Sequence, residues 1–458
     1  MILNKRPEEK FHKGLFHQTE GGTGMRIAVI GAGISGLGAA WALRDLHEVT
    51  LYEKDTRLGG HANTVDIDYD GAPIAVDTGF IVFNSHNYPN LVGLLAHLGV
   101  ETFDSDMSFA VSDPQGYEWS SNGMAGIFAW KRNVASPTFL GMLSDIVRFS
   151  TQARADLAQE GRLEGATIED YVQSLRLSRG FLDHYLMPMG AAIWSTNERE
   201  MRRYPAESFL RFFDNHRLLH ANRPQWRTVK GGSRAYVEKL RADLGQRVRS
   251  GAPVLSVSRG LDGVAVRTAE GQTAYDQVIF ACHSDEALAI LGSNATPAEA
   301  AHLAAVRYAP NTAYLHRDPA LMPRRPAAWA SWNYMRGGSV TQDGVTVSYW
   351  MNLLQNIDRK HPLFVTLNPV TPPDPALTFK TIEYSHPQFD RAALTAQRAI
   401  KDLQGQNRIW FAGAWLGYGF HEDGLSSGLA AARQLGAVLP WDLPARPTKA
   451  AQQAQEAA

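Results

Sequence analysis

Hydrophobic and polar positions change period several times along the 458 residues. Arg26–Ile30 (RIAVI) is a short β-branched run without polar alternation, the pattern of a strand covered on both faces. Glycines interrupt it at once; Ala39–Leu46 then reads as a helix and Val49–Glu53 as a second strand. Strand, glycine turn, helix and strand open a βαβ unit and predict a doubly wound parallel sheet. From Met124 to about Gln225 the spacing becomes helical, as in Phe139, Leu143, Ile146 and Val147, which predicts an inserted helical subdomain. Ala252–Cys282 holds three strand-like runs separated by glycine turns, a meander ending in the apolar strand Val278–Ala281. Thr296, Pro297 and Glu299 form a capping box with proline at the first helical position. Tyr308 to about Asn368 alternates aromatic and polar residues and predicts an antiparallel sheet. Arg408–Ala412 is a last strand, and a glycine-rich turn leads from it into an alanine-rich helix over Leu425–Val438.

Composition narrows the class. At about 150 residues per domain the chain holds two or three domains and a large core. The formal charge of -1 leaves no global field to recruit nucleic acid. The single cysteine, Cys282, excludes an intramolecular disulfide, a CxxC redox pair and a multi-cysteine zinc site, and suits a reducing cytoplasm; no metal is expected. No apolar run reaches the 18 or so residues of a membrane span. Met1–Gly24 is polar and basic and reads as a disordered leader with Met25 as an alternative start; Pro440–Ala458 has little to bury and reads as a disordered tail.

The chemistry begins at Gly31-Ala32-Gly33-Ile34-Ser35-Gly36, between the first strand and its helix. Gly31 lets the chain turn, Gly33 lets backbone approach a pyrophosphate, and Gly36 lets helix and strand pack. Glu53 follows Gly33 by 20 residues, the spacing of an acid that bonds a ribose hydroxyl. Arg57-Leu58-Gly59-Gly60 and Val76-Asp77-Thr78-Gly79 come next; near the C-terminus stand Ile409–Gly413 and Asp423–Gly428, the latter opening a helix. Two separated glycine-bearing helix starts suit both ends of an extended FAD.

In these segments the chain resembles the flavin amine oxidase and phytoene desaturase superfamily, glutathione-reductase-like flavoproteins with an E-x-x-x-R-x-G-G segment, over nearly all of Met25–Val438. The resemblance implies an α/β fold: a Rossmann-like FAD-binding domain over 25–105, 226–290 and 405–440, and a discontinuous α+β substrate domain over 106–225 and 291–404. By it, Gly31, Ala32, Gly33, Ile34, Ser35 and Gly36 hold the pyrophosphate of FAD, and Glu53 and Lys54 the adenosine ribose. Gly60 and His61 hold the ribityl-to-pyrophosphate stretch and Val254 the adenine side, while Gly413, Asp423 and Leu425 flank the isoalloxazine end. The chain departs from the pattern at His61, where arginine often follows the glycine pair, and at Ala414, where an acid often follows Ala-Gly; Asp423 can supply that carboxylate. Met187–Ser195, Asn215–Leu219, Pro224–Tyr236 and Phe364–Pro369 resemble a narrower bacterial group, NAD/FAD-binding proteins associated with cyclopropane-fatty-acid-synthase-like methyltransferases. That group is linked to acyl-chain modification, including desaturation leading to furan fatty acids.

For the reaction itself, His421 is a natural proton acceptor, and Gly417 and Gly419 give Tyr418 and His421 a path into the pocket; His216 is the second histidine. Each histidine has a bland alternative, a backbone hydrogen bond in the core. Trp194, Trp226, Trp332, Tyr349, Trp415 and Tyr418 are candidates for an apolar tunnel, most of them core. Residues 199–241 carry 11 Lys/Arg against 4 Asp/Glu, which reads either as a solvated face or, with Phe209, Phe212 and Phe213 as the apolar partner, as attraction to anionic lipid headgroups or an acyl-carrier phosphate. The expected function is FAD-dependent dehydrogenation of an unsaturated acyl chain in a cytoplasmic protein that touches the membrane surface. The alternatives are a flavin amine oxidase and a non-enzymatic flavoprotein that stabilises a partner lipid methyltransferase.

Overall fold

The computed structural model describes residues 24–194, 196–337 and 346–442. Apart from Gly24, the leader lies outside the described residues, as does the tail beyond Asp442.

Five parallel strands form the first sheet, in the order Val248–Arg249, Glu48–Tyr52, Arg26–Ile30, Gln277–Phe280, Ile409–Phe411. Arg26–Ile30 is central. Its Ile27 and Val29 enter one apolar cluster with the helix Ile34–Leu43, and its Ala28 and Ile30 enter another on the opposite face. A strand covered on both sides must be apolar at every position, which is why RIAVI shows no alternation.

Ser256–Arg259, Val264–Thr268 and Gly271–Tyr275 form the antiparallel meander. Its expected last strand leaves it: Gln277–Phe280 pairs in parallel with Ile27–Ile30. The predicted antiparallel sheet is a seven-stranded mixed one. Trp332–Met335 pairs in parallel with Phe109–Ser112, a partner that precedes the helical insertion, and the long crossover between them permits the parallel register. The sheet is completed on the other side by Thr378–Gln388 against Arg307–His316.

Helices Pro297–Ala304 and Arg391–Leu403, expected with the substrate domain, place Leu303, Ala393 and Ile400 against Phe280 and Phe411 of the parallel sheet. The C-terminal helix spans His421–Gln434, earlier at both ends than expected, because Asp423 caps its start and Gly436 (φ 98°) turns the chain after its end. The tail starts later than expected: Trp441 stacks on Trp41 at 6.0 Å and Asp442 pairs with Arg433 at 2.9 Å.

The Ile34–Leu43 helix crosses the C-terminal helix at backbone contact. A Cβ on Gly428 would overlap the Ser35 carbonyl oxygen, and one on Gly424 would stand 3.0 Å from Ser35 Oγ. Neither backbone can retreat without moving its helix. Gly428→Ala is therefore expected to destabilise the protein by about 1–3 kcal/mol, read from its urea midpoint. Gly33→Ala is the control when both proteins are compared free of cofactor: Gly33 has φ -69° and its Cβ would meet nothing within 4 Å, so the midpoint should hold.

Candidate functional site

The three fingerprint glycines divide by cause. Gly31 has φ 104°, and its Cβ would stand 2.8 Å from Ala281 O; a Cβ on Gly36 would strike the Gly31 carbonyl. The fold itself demands both. Gly33 is under no such demand, with ordinary backbone angles and open space above it, at the N-terminus of the Ile34–Leu43 helix. Ala32 is buried beside it, and Ile34 and Ser35 enter the core as the first helical residues.

Glu53 faces this loop. Its Oε2 accepts from Ala32 N at 2.7 Å and its Oε1 from Asp55 N at 3.0 Å. The second glycine pair lies directly against the first: Gly59 N donates to Ala32 O at 2.8 Å, and a Cβ on Gly60 would stand 3.2 Å from Gly33 Cα. Arg57, given no role by sequence reasoning, folds this segment by donating to Leu58 O, Ala62 O and Gly60 O. Lys54 points elsewhere, its Nζ 2.5 Å from Glu286 Oε1, and that bond raises the ammonium above its usual range. Val254 is half-buried two residues beyond Ala252, whose N donates to Glu53 O at 2.8 Å.

The C-terminal motif comes to the same place. Gly413 N donates to Ser427 Oγ at 2.8 Å, and Leu425 is fully buried, its Cδ1 2.5 Å from where a Cβ on Gly38 would sit. Asp423 Oδ2 accepts from Phe420 N at 2.9 Å, closing the 413–420 loop, and burial pushes its carboxyl up to about 7. Glu422 accepts from Asn90 N, Asn90 Nδ2 and Leu91 N at 2.9–3.0 Å, and burial raises it too.

The candidate catalytic residues separate. His421 lies in the core, stacked on Phe80 at 3.8 Å, with Nε2 2.6 Å from Tyr236 Oη; burial holds it down at about 3. Tyr418 and His216 instead line a cavity of about 330 Å³, with Tyr88, Phe420, Glu422 and Asp423. His216 Nδ1 donates to Phe212 O at 3.0 Å, which leaves Nε2 as an acceptor, and burial lowers it to about 4. Phe212 stacks on His216 at 3.9 Å and on Phe420 at 5.1 Å, and meets Tyr418 edge-on at 5.5 Å. Trp194 joins at 4.6 Å from Phe212. Trp415 does not: its Nε1 donates to Cys282 O in the core. Phe209, Phe212 and Phe213 are at most 2% exposed, so they belong to the core behind the cavity and make no membrane contact. Several cations of the basic stretch are also engaged, Arg202 with Asp183, Arg211 with Glu207, and Arg227 with Asp104.

Sequence reasoning missed a second cluster. His61 packs on Tyr384 at 4.9 Å and on His386 at 5.4 Å. Tyr384 Oη is hydrogen-bonded to Asn63 Nδ2 and Thr78 Oγ1, both at 2.9 Å. His61 Nε2 and His386 Nδ1 are buried without a protein partner among the described residues. Burial, and then the neighbouring imidazoles His386, His283 and His421, hold His61 well below the usual range; burial lowers His386 to about 4. The only sequence signal is the alternation Tyr384-Ser385-His386 on one strand face.

The residues present fit FAD. Gly33 is a glycine that only a ligand requires, it stands at a helix N-terminus suited to phosphate, and the orphaned His61 Nε2 adjoins the paired glycine loops. Purified protein is expected to be yellow and to release FAD on denaturation. Gly33→Val should keep the fold and lose the colour; retention of FAD by that variant would refute the cradle.

Stability should also carry the signature of the buried histidines. His216, His316, His386 and His421 are neutral in the native state, at about 4, 4, 4 and 3, whereas the unfolded chain protonates each as pH falls through about 6.5. Asp423 opposes them by keeping in the native state, up to about 7, a proton that the unfolded chain releases above about 3.9. Buried histidines with lowered values outnumber the carboxyls raised by burial, so the unfolded chain binds more protons than the native state between pH ~6.5 and ~4, and stability falls on acidification through that window. Calorimetric unfolding at a series of pH values measures this, and a Tm that stays flat across the window would contradict it.

Comparison with known proteins agrees with this geometry. A carotenoid phi-ring synthase from Streptomyces griseus is 30% identical over 168 residues, 33% of this chain and 31% of the relative. The chain thus spans under a third of the length of the curated relatives it matches. Putrescine oxidase superposes with a TM-score of 0.63 and 16% identity, covering 90% of this chain and 99% of that one. The CLA-producing fatty acid isomerase from P. acnes superposes with a TM-score of 0.62, also at 16% identity, over 90% of this chain and 99% of that one. These structures share the fold. Residues 34–317 match the model for flavin containing amine oxidoreductases, and the chain belongs to that family of flavin-dependent oxidoreductases.

Proposed function

We propose that this oxidoreductase dehydrogenates an uncharged, apolar substrate, with an unsaturated fatty acyl chain of a membrane lipid as the class. One observation supports the reading: Tyr88, Tyr418 and Phe420 give the cavity an aromatic lining beside His86, Asn87, Asn215 and His216, while its two carboxylates are already committed. Glu422 is saturated by Asn90 and Leu91, and Asp423 bonds backbone with its proton held toward neutrality. An ammonium group entering there would lose its hydration without gaining a free anion. An alkyl chain would lose nothing.

Bound FAD supplies the hydride acceptor, so loss of hydride from an allylic carbon and of a proton from its neighbour gives a conjugated diene. The chain's own part is to bind the acyl chain on the aromatic lining, exclude water and accept the proton. His61 and His386 suit that last task better than His421. Each has a ring nitrogen unpartnered among the described residues, whereas the Nε2 of His421 is already bonded to Tyr236. A fatty acid and a carotenoid named among the similar proteins support an apolar substrate. An amine is the second reading, supported by the putrescine oxidase likeness and by the placement of Asp423 on the cavity.

The test is anaerobic bleaching of the bound flavin by a phospholipid with unsaturated acyl chains, compared with putrescine. Reduction by the phospholipid alone is expected; reduction by putrescine alone overturns the proposal. His386→Ala should retain FAD and slow reduction about 10²-fold. His421→Ala should lower stability and FAD content together, since it removes the partner of Tyr236 and the stack under Phe80. A full reduction rate in His386→Ala would remove that residue from the step.

A further inference from the structure

Outside the flavin site, one surface combines apolar exposure with positive charge. Of the ten large hydrophobic side chains exposed among the described residues, four lie within residues 124–147: Met124 (69%), Val134 (59%), Leu140 (45%) and Val147 (66%). Three structural devices hold them outward. Gly126 packs on Ser120 beneath the Met124 turn. Asn133 is fully buried and donates to Glu118 O at 3.1 Å, which leaves its turn neighbours Lys131, Arg132 and Val134 exposed. In the helix Pro137–Leu157, Phe139, Met142, Phe149 and Ala153 face the core, so Leu140 and Val147, two turns apart, share the outer face.

Within residues 124–154 the exposed charges have one sign. From Pro114 to Ala155 the only acids are Glu118 and Asp145, both buried and bonded internally, whereas Lys131, Arg132, Arg148 and Arg154 are exposed. Beside the Lys131–Ala135 turn opens a cavity of about 680 Å³, lined by Trp130, Lys131, Arg132, Arg324 and Arg325 and by no carboxylate among the described residues. Arg325 is paired with Glu118, and Arg132 lies over the Trp130 ring at 5.7 Å. Lys131, Arg132 and Arg324 have no ion-pair partner among the described residues.

We infer that this face, residues 124–154 with Arg324, docks reversibly on an anionic phospholipid bilayer, the apolar side chains entering the headgroup boundary and the cations meeting lipid phosphates. Exposed apolar side chains interleaved with unpaired cations are what such a surface attracts; a protein partner of ordinary composition would leave the cations desolvated and unmatched. This inference moves the expected membrane contact away from residues 199–241, whose phenylalanines are buried. It does not rest on the acyl-chain reading, because binding is measured without turnover.

The test is co-sedimentation of the FAD-loaded protein with phosphatidylcholine vesicles, with and without phosphatidylglycerol. Binding is expected only to the anionic vesicles, strongest at low salt and released as salt rises. The exposed double variant K131E/R132E should keep its flavin and lose about tenfold or more in partitioning, and Val134→Ser with Val147→Ser should weaken binding without any change of charge. R398E/K401E, an equal charge reversal on another helix, should bind as the wild type does. Equal loss in R398E/K401E, or no binding of the wild type to anionic vesicles at low salt, overturns the inference. So does a protein dimer that dissociates on Val147→Asp, or saturable binding of inorganic phosphate to a protein that ignores vesicles.

Discussion

The site depends on a contact in which two helices meet without intervening side chains on one of them, Gly428 against the Ser35 backbone and Gly424 against the Ile34 and Ser35 side chains. Each glycine inside a helix costs about 0.5–1 kcal/mol of chain entropy relative to alanine. What the cost secures is an approach no side chain would allow, and with it two helix N-termini side by side. The Ile34–Leu43 helix starts at Gly33 and the C-terminal helix at His421, so the exposed N–H groups of both first turns converge on one region. The carboxylates of Glu422 and Asp423 sit in that second first turn, where the helix dipole favours negative charge, and they tie it to Leu91 and to the 413–420 loop. Loosening the helix crossing would move the cofactor cradle and the substrate cavity at once.

A second constraint is that burial disfavours charge on His61, His216, His386 and His421 and on the carboxyls of Asp77, Glu422 and Asp423. His421 behaves as an aromatic ring stacked on Phe80, and Asp77, fully buried, is satisfied by Ser233, Thr64 and Gln355 while burial raises its carboxyl. Walls that disfavour charge accord with the apolar substrate proposed, since a fixed charge beside it would attract water and ionic competitors. The same neutrality makes the native state sensitive to acid.

The nucleotide-binding half was legible in the sequence because its signals are local: a strand, three glycines, a helix and an acid lie within residues 26–53. The substrate half was legible only as a class of structure. His61 and His386 meet across more than 300 residues of chain, and no spacing rule reaches that far. Residues 199–241 misled for a related reason. Charge was counted along the chain, whereas arginines such as Arg202 are neutralised by acids from other segments, Glu169 and Asp183, and the three phenylalanines turn inward as one face of an amphipathic helix. Trp441 was missed because its partners, Trp41 and Asn90, lie at the other end of the chain.

This division also explains how structures at 16% identity superpose over 90% of the chain. The shared part is set by backbone geometry, where only glycine fits at Gly31, Gly36 and Gly428 and almost any apolar residue fits between them. The cavity is lined by side chains that belong to no strand, so His216, Tyr418 and Phe420 can change without disturbing a sheet register. Substrate choice is therefore free to diverge where cofactor choice is not. For this chain the informative residues are those that the fold does not need: Gly33, whose glycine serves no packing role, and His61 and His386, whose buried nitrogens no protein group satisfies among the described residues. A fold at equilibrium with its own packing would fill the space above Gly33 and pair those nitrogens, so each marks a place where something other than the chain completes the structure.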